Sequence, residues 1–377
     1  MRRGGPPADV LFPDRTPAAP CERPVISERL PPTAVPQTGP SRGRRLLGEA
    51  LARPSLPALI GLVVVVVFFE VQAPTLLTSS GLAGVLDVAA PLGIGAVAVA
   101  LLLVAGQFDL SIGVVALASS LLTALLIGHG GWSTWPALVV SLLAALVIGV
   151  INGVLVVNTG LPSFLVTLAT FLVLQGSALA GFEAIAGSSQ LSGLDQAPGW
   201  GAAAAIFGSS ATLGDGHYRV SLLWWVGATT LATWALFRTR FGNAVFASGG
   251  ARTAARELGV PVRRTTITLF CLTAAAGWLI GTLSLFRLES VLVRTTSLET
   301  GIDFVVVAVI GGSLLTGGYG SAVGAAVGAL LYGAARQGIL LAGWDPRWFQ
   351  ALLGVLLLVA LMANGVVRRR LKAVPRS

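Results

Sequence analysis

The chain has 377 residues, of which 54% are hydrophobic and only 11% are charged, and its mean hydropathy is +0.83. Soluble domains carry about 25% charged residues, so the composition excludes an ordinary soluble protein and indicates a polytopic membrane protein. The net charge of +9 does not indicate nucleic-acid binding, because the arginines cluster beside apolar runs, at 42–45, 252–264 and 368–372. Arginines in such places determine membrane topology.

Residues 1–54 are rich in proline and arginine and lack apolar periodicity, which predicts a disordered cytoplasmic tail. Beyond this tail, about ten apolar runs approach the roughly 20 residues that a membrane span requires. The predicted spans are 55–71, 82–105, 112–128, 136–157, 163–181, 220–237, 266–286, 302–315, 322–341 and 349–366. The predicted fold is therefore all-α, with about ten transmembrane helices in one membrane domain over 55–366 and a cytoplasmic C-terminal tail over 367–377.

The loops between these spans differ in charge. The loop 238–265 carries six arginines, whereas the loop 182–219 carries one. Because arginine beside a span is retained on the cytoplasmic side, 238–265 is predicted to be cytoplasmic and 182–219 to be external. With both basic termini in the cytoplasm the number of spans must be even, which agrees with ten.

Residues 310–321, with the sequence IGGSLLTGGYGS, form a glycine-dense break between two apolar runs. At membrane depth, irregular backbone survives only where protein covers it or where it lines a pathway, because unpaired N–H and C=O groups are costly there. The segment therefore predicts a broken helix at a translocation pathway. Its candidate pathway residues are Gly311, Gly312, Ser313, Gly317 and Gly318.

A second irregular segment, 106–113 with the sequence GQFDLSIG, places the carboxylate of Asp109 between two apolar runs. A charge at membrane depth costs at least about 2.5–3.5 kcal/mol, so this carboxylate needs a partner or water. One interpretation is helix capping, with Asp109 accepting hydrogen bonds from N–H groups of 110–112; a compatible one is a constriction in the pathway. The candidate pathway residues in and beside this segment are Asp109, Leu110, Ser111, Gly113, Asn152 and Thr167.

Other polar residues fall inside the spans. Asp87 and Gln175, like Asn152 and Thr167 taken singly, are typical of hydrogen bonds between helices. Arg336 is expected to extend to the membrane surface or to pair with a carboxylate.

The segments 106–113 and 311–321 each precede a helix rich in small residues and then a short loop with proline and phenylalanine. An odd number of helices separates the two units, so a duplication would leave them inverted in the membrane, as in transporters built around broken helices. Chance similarity between helices rich in Ala, Leu and Gly explains the pattern equally well.

Within the loop 238–265, residues 251–258 are good helix formers and Gly259 is placed to end a helix. A short helix with alanines on one side and Arg256 and Glu257 on another suits docking into the groove of a partner. The alternative is a solvated loop whose arginines only set the topology. The candidate docking residues are Arg252, Ala254, Ala255, Arg256, Glu257 and Gly259.

The sequence contains no HExxH, no G-x-S-x-G, no P-loop and no Cys/His spacing typical of metal sites. We therefore expect no enzyme activity, no metal site, no bound cofactor and no ATP hydrolysis by this chain. Cys21 lies in the polar tail and Cys271 in an apolar run, so a disulfide between them is not expected.

Five motifs occur in a fixed order: DLSIG at 109–113, NGVLV at 152–156, LPSFLVTL at 161–168, AARELGV at 254–260, and GGS followed by GGYG at 311–320. Together they resemble the membrane permeases of bacterial ATP-binding cassette (ABC) importers for ribose, xylose and related sugars, which are related to the branched-chain amino-acid permeases. The resemblance spans about 76–364. It implies that 252–260 is the coupling helix that docks on the ATPase, and that 109–111 and 311–320 lie near the translocation path.

The resemblance also implies a function, partners and a location. The chain would be a passive permease subunit in the cytoplasmic (inner) membrane of a bacterium, importing a monosaccharide, above all a pentose such as ribose or xylose. Its partners would be an ATPase subunit that uses ATP and Mg, an extracytoplasmic sugar-binding protein and a second copy of the permease in a homodimer.

The chain departs from the pattern of that family at three places. Gln107-Phe108 replaces a common Gly-Ile pair, Ala251 replaces an asparagine, and Gly301 replaces an acidic residue. These changes leave open another cargo, a branched-chain amino acid or a nucleoside. A rival class, the ion-coupled secondary transporter, would need acidic or Na⁺-coordinating residues in the spans, and such residues are sparse. A second rival, an intramembrane enzyme, is disfavoured because the catalytic motifs are missing.

Overall fold

The computed structural model describes residues 55–293 and 298–373; the predicted tail 1–54 lies outside them. The helices in this part of the chain are α1 (Leu56–Gln72), α2 (Ser79–Val104), α3 (Ile112–Gly128), α4 (Thr134–Thr159), α5 (Ser163–Ala186), α6 (Trp200–Phe207), α7 (Ser221–Arg238), α8 (Arg240–Gly250), α9 (Arg252–Glu257), α10 (Val262–Leu288), α11 (Leu298–Ile310), α12 (Ala322–Leu341) and α13 (Trp348–Ala373).

Each of the ten predicted spans coincides with one helix, and the boundaries differ for local reasons. Helix α2 begins earlier than predicted because the Thr78 hydroxyl caps it, accepting from the Gly81 N–H at 3.2 Å. Helix α11 ends at Ile310 rather than 315, because the chain enters the glycine break, where Gly312 has a φ of +95°. Helix α13 continues to Ala373, so the predicted tail 367–377 is helical over most of its length.

Five helices are long and apolar enough to cross a membrane: α2, α4, α5, α10 and α12. Four further apolar segments are shorter, at Leu56–Gln72, Ile112–Gly128, Thr300–Ile310 and Trp348–Ala363. The protein is a helical, polytopic membrane protein, and the count of ten spans stays a prediction.

The described residues also contain four short strands, which the all-α prediction did not include: β1 (Gln190–Leu191), β2 (Ser210–Leu213), β3 (Gly216–Arg219) and β4 (Val291–Leu292). Strands β2 and β3 form an antiparallel hairpin, and β1 pairs antiparallel with β4. The turn of the hairpin is formed at Gly214, whose φ is +61°. The segment 182–219 is therefore structured, since it holds helix α6 as well as the hairpin.

Asp87 of α2 connects this hairpin to the helices through ion pairs. Its carboxylate lies 3.0 Å from Arg219 Nε, at the end of β3, and 2.7 Å from Arg287 Nη2 of α10. The Tyr218 hydroxyl donates to the Ser79 carbonyl oxygen at 3.2 Å. Asp87 thus forms ion pairs with two elements, where the sequence predicted only an interhelical hydrogen bond.

Helix α2 lies at the centre of the fold and packs against α7, α10, α11 and α12. Small residues allow the close contacts. A Cβ at Gly333 would lie 2.6 Å from the Val85 carbonyl oxygen, and one at Gly281 would collide with the Ala116 carbonyl. Helices α3 and α12 each follow a non-helical segment, 105–111 and 311–321, so the predicted broken helices are present. The inverted relationship of the two units stays a prediction.

Candidate translocation and coupling site

Asp109 is enclosed in a hydrogen-bond network and is only 2% exposed. Its Oδ1 accepts from the Ser111 N–H at 2.8 Å and from the Ser111 hydroxyl at 2.6 Å. Its Oδ2 accepts from the Thr273 hydroxyl of α10 at 2.6 Å. Within 55–293 and 298–373 the carboxylate has no cationic partner, so these three donors replace the lost hydration.

The network continues to the neighbouring helices. Asn152 of α4 donates from Nδ2 to the Ser111 hydroxyl oxygen at 3.0 Å and accepts from the Thr170 hydroxyl of α5 at 2.6 Å. Thr167 accepts from the Leu110 N–H at 3.2 Å. The predicted residues Asp109, Leu110, Ser111, Asn152 and Thr167 are therefore brought together around one non-helical segment. Thr273 and Thr170 were not predicted, because nothing in their local sequence distinguishes them from other threonines in apolar helices.

This geometry agrees with the capping interpretation in a modified form. The helix begins at Ile112, and Asp109 bonds the Ser111 N–H before the helix starts, as in an Asx turn. Each carboxylate oxygen is already occupied by the chain itself. The network therefore fixes the segment 107–111 against α4, α5 and α10, and a contact of Asp109 with a passing substrate stays a prediction.

The carbonyl of Leu110 explains one departure from the family pattern. A Cβ at Gly301 of α11 would lie 2.5 Å from the Leu110 carbonyl oxygen, closer than real Cβ contacts come. A Cβ at Gly113 would lie 3.4 Å from the Gly301 backbone nitrogen. The segment and helix α11 thus approach through glycine, and an acidic side chain at 301 has no room in this packing.

The glycine break at 311–321 is packed rather than open. Gly317 and Gly318 have φ values of +79° and +77°, which favour glycine. The Gly318 N–H donates to the Val104 carbonyl oxygen, at the end of α2, at 2.8 Å. Ser313 is fully buried, and its hydroxyl has no hydrogen-bond partner in the described part of the chain. Gly311 contacts the backbone of α12 at Gly324, where a Cβ would collide with a carbonyl.

Four glycines from three segments meet here, and we call Gly106, Gly249, Gly317 and Gly318 the glycine junction. A Cβ at Gly249, in α8, would collide with the Val104 carbonyl oxygen and lie 2.7 Å from the Gly318 nitrogen. A Cβ at Gly317 would lie 2.9 Å from the Gly106 Cα. The junction joins both irregular segments to the helix that leads into α9. Gly249 was not predicted as a site residue.

Helix α9 forms where residues 251–258 predicted a helix, running from Arg252 to Glu257. The Gly259 N–H donates to the Arg256 carbonyl at 3.0 Å and the Val260 N–H donates to the Ala255 carbonyl at 2.9 Å, with Gly259 at a φ of +79°. These two bonds are a Schellman motif, so the predicted helix stop is confirmed. Ala255 is buried, whereas Ala254, Arg256 and Glu257 are exposed.

The surface of α9 has two features that suit a partner. Leu258 is 84% exposed directly after Arg256 and Glu257, a feature that its place in the sequence does not predict. Burial lowers the pKa of the half-buried Arg252 guanidinium, and the positive charge of Arg256 lowers it further. Arginine nevertheless stays protonated at neutral pH. The surface therefore presents one large apolar side chain, that of Leu258, among charged groups.

Residues 81–361 match the family described as branched-chain amino acid transport system / permease component. The chain belongs to this permease family. A fructose import permease protein of Rhizobium meliloti is 30% identical over 328 residues, which cover 84% of this chain and 87% of that protein. A xylose/arabinose import permease protein of Sulfolobus acidocaldarius is 27% identical (81% and 83% covered), and so is a ribose import permease protein of Escherichia coli (81% and 92% covered). No solved structure matches.

The comparisons confirm the family that the five motifs indicated. The matched region contains all five motifs and both irregular segments, 105–111 and 311–321. The individual roles of the pathway and docking residues stay predictions, because the comparisons concern the chain as a whole.

Proposed function

We propose that the chain is the membrane permease subunit of an ABC importer and that its cargo is a monosaccharide. The observation that carries the proposal is the similarity to three permeases named for fructose, xylose/arabinose and ribose, each covering more than 80% of this chain. A pentose remains the first candidate, and the fructose relative adds ketohexoses. The amino-acid and nucleoside alternatives receive no such support from these three relatives.

The energy for import comes from a separate ATPase subunit, using ATP and Mg, that docks on α9. The exposed Leu258, Arg256 and Glu257 support this assignment, and so does the continuity of α8 with the glycine junction. Movement of the docked helix would reach both irregular segments through backbone contacts alone. The predicted pathway residues then respond to the ATPase without any side-chain relay.

The permease has ten spans in the inner membrane with both termini in the cytoplasm, acts as a homodimer and receives sugar from an extracytoplasmic binding protein. The arginine asymmetry between 238–265 and 182–219 supports the orientation. Cysteines placed at Ser188 and Thr253, in a background without Cys21 and Cys271, should react with an impermeant thiol reagent from opposite sides. Reaction of both from outside would contradict the ten-span topology.

The decisive test of function is reconstitution. The permease, with an ATPase subunit and a sugar-binding protein from the same organism, is placed in proteoliposomes and offered radiolabelled ribose, xylose, fructose and leucine. We expect ATP-dependent uptake of at least one sugar, none of leucine, and none with an ATPase variant unable to hydrolyse ATP. Sugar uptake by the permease alone under a proton or sodium gradient would overturn the proposal.

A further inference from the structure

A cavity of about 910 Å³ lies apart from the Asp109 network, between α11, α12 and α13 and beside Val88 of α2. Small-molecule sites have volumes of about 300–1,000 Å³. None of the residues predicted for the pathway or the docking helix lines this cavity. Its polar lining residues are Asp303, Tyr332, Arg336, Gln337, Arg347 and Gln350.

The polar groups of the cavity are organised around Tyr332. Its hydroxyl donates to Asp303 Oδ2 at 2.9 Å, while its ring packs edge-on against Phe349 with the centroids 4.7 Å apart. The Arg336 guanidinium lies 5.8 Å from the centroid of the same Phe349 ring. One carboxylate, two guanidiniums (Arg336 and Arg347), one phenol and two amides therefore surround an aromatic surface.

Charged and polar side chains grouped in this way are rare within membrane-spanning helices. Ionisable side chains within transmembrane helices are costly, and they mark ion or substrate pathways. The carboxylate of Asp303 offsets one of the two guanidinium groups of the lining, and the other, that of Arg347, lies 3.9 Å from the Asp345 carboxylate. The charges are therefore balanced, which suits an uncharged ligand. The amides and the phenol both donate and accept hydrogen bonds, which matches a ligand carrying many hydroxyl groups.

The residues that line the cavity indicate on which side of the membrane it lies. Val88 lies in the first half of α2, and Gln337 is so close to Gly84 that a Cβ there would lie 2.6 Å from its amide nitrogen. In the predicted topology this half of α2 and the loop 342–347 are external, whereas the glycine junction is cytoplasmic. The cavity would thus precede the Asp109 segment on an inward path.

We propose that this cavity is the external receiving site for the monosaccharide, with Phe349 stacking on the C–H face of the ring and Asp303, Arg336 and the two glutamines binding its hydroxyls. The proposal rests on the proposed function. It assigns the first contacts of the sugar to α11–α13 instead of the Asp109 segment.

The first experiment measures uptake of ribose, xylose and fructose by the reconstituted transporter carrying Asp303→Asn, Arg336→Gln or Phe349→Ala. We expect uptake to fall at least tenfold and the ratios of the three rates to change, which a merely structural role would not produce. Asp215→Asn is the matched control, since this exposed carboxylate lies at the hairpin turn between β2 and β3 and outside the cavity lining; its uptake should stay within twofold. Wild-type uptake with unchanged rates and ratios in all three variants would overturn the cavity proposal, whereas no sugar uptake by the wild type would overturn the proposed function.

The second experiment asks whether the cavity holds water or lipid. Gln350→Cys, in a background without Cys21 and Cys271, should react with an external impermeant thiol reagent at least tenfold faster than Val355→Cys. Val355 is an exposed residue on the same helix that does not line the cavity. The imported sugar, supplied with its binding protein, should slow the reaction of Gln350→Cys. Equal, slow reaction at both positions would mean a lipid-filled groove and would overturn the proposal.

Discussion

Two acidic side chains inside the helical domain, Asp109 and Asp303, have contrasting surroundings. Asp109 is 2% exposed and accepts three hydrogen bonds from Ser111 and Thr273. Asp303 borders a cavity of about 910 Å³ and accepts from the Tyr332 hydroxyl at 2.9 Å. The first carboxylate is bound by the fold itself, whereas the second is beside space that another molecule can fill. Substitutions near Asp109 should therefore change stability, and substitutions near Asp303 should change transport.

The largest effect on stability is expected for Asp109→Leu. It leaves the Ser111 N–H, the Ser111 hydroxyl and the Thr273 hydroxyl without their acceptor, at about 1–3 kcal/mol for each buried unpaired donor. We expect the free energy of unfolding to fall by at least ~3 kcal/mol, measured as a loss of thermal stability in detergent. Asp303→Leu takes the acceptor from the Tyr332 hydroxyl at the border of a cavity, so a smaller loss is expected. Equal losses of thermal stability in Asp109→Leu and Asp303→Leu would show that the two carboxylates contribute equally to the stability of the fold.

The glycine junction gives the next largest effect. Gly249→Ala adds a Cβ that collides with the Val104 carbonyl, whereas Gly250→Ala adds one with no atom within 4 Å. Overpacking costs about 1–3 kcal/mol, so Gly249→Ala should lower thermal stability and reduce ATP-driven uptake. Gly250→Ala adds the same methyl group to the same helix and should be neutral or slightly stabilising. Identical melting temperatures for the two variants would show that the junction can open to admit a side chain.

The sequence was enough to predict what depends on local pattern. Apolar runs located the ten helices, and Gly259 predicted the end of α9 because an αL stop needs only glycine at the right place. The break at 311–321 was predicted because glycine density between apolar runs is a local signal. These features need no knowledge of which helices touch.

What the sequence did not reveal depends on contacts between distant segments. Thr273 is 164 positions from Asp109, yet it supplies one of the three hydrogen bonds. The role of Gly249 appears only when α8 is placed against Val104 and Gly318. Likewise, Asp303, Tyr332 and Arg336 form one lining because α11 and α12 pack side by side. The local sequence around a threonine, a glycine or an isolated charged residue does not show which distant residue it contacts.

A smaller effect is expected for Asp109→Asn, which separates the two interpretations of this residue. The asparagine oxygen can accept from Ser111, and its amide can donate to Thr273, whose hydroxyl then bonds the Phe270 carbonyl at 3.0 Å. The hydrogen bonds are kept and only the charge is lost, so stability should change by less than ~1 kcal/mol. Capping predicts sugar uptake within twofold of the wild type. A stable Asp109→Asn protein with no uptake would instead place the charge in the transport path.

The smallest effect on stability, together with a strong effect on coupling, is expected at α9. Leu258 is 84% exposed and Glu257 is exposed, and surface substitutions usually change stability by less than about 0.5 kcal/mol. Leu258→Asp removes an apolar contact, and Glu257→Arg creates a like-charge conflict at a docked surface, where such conflicts cost several kcal/mol. We expect both variants to melt like the wild type but to lose co-purification with the ATPase and ATP-driven uptake.

Leu213→Asp is the control for these two variants. Leu213 is 64% exposed on the hairpin, which is predicted to be external, so this variant should retain both ATPase co-purification and ATP-driven uptake. If Leu258→Asp and Glu257→Arg keep normal ATPase binding and uptake, α9 only connects α8 to α10 and the ATPase docks elsewhere.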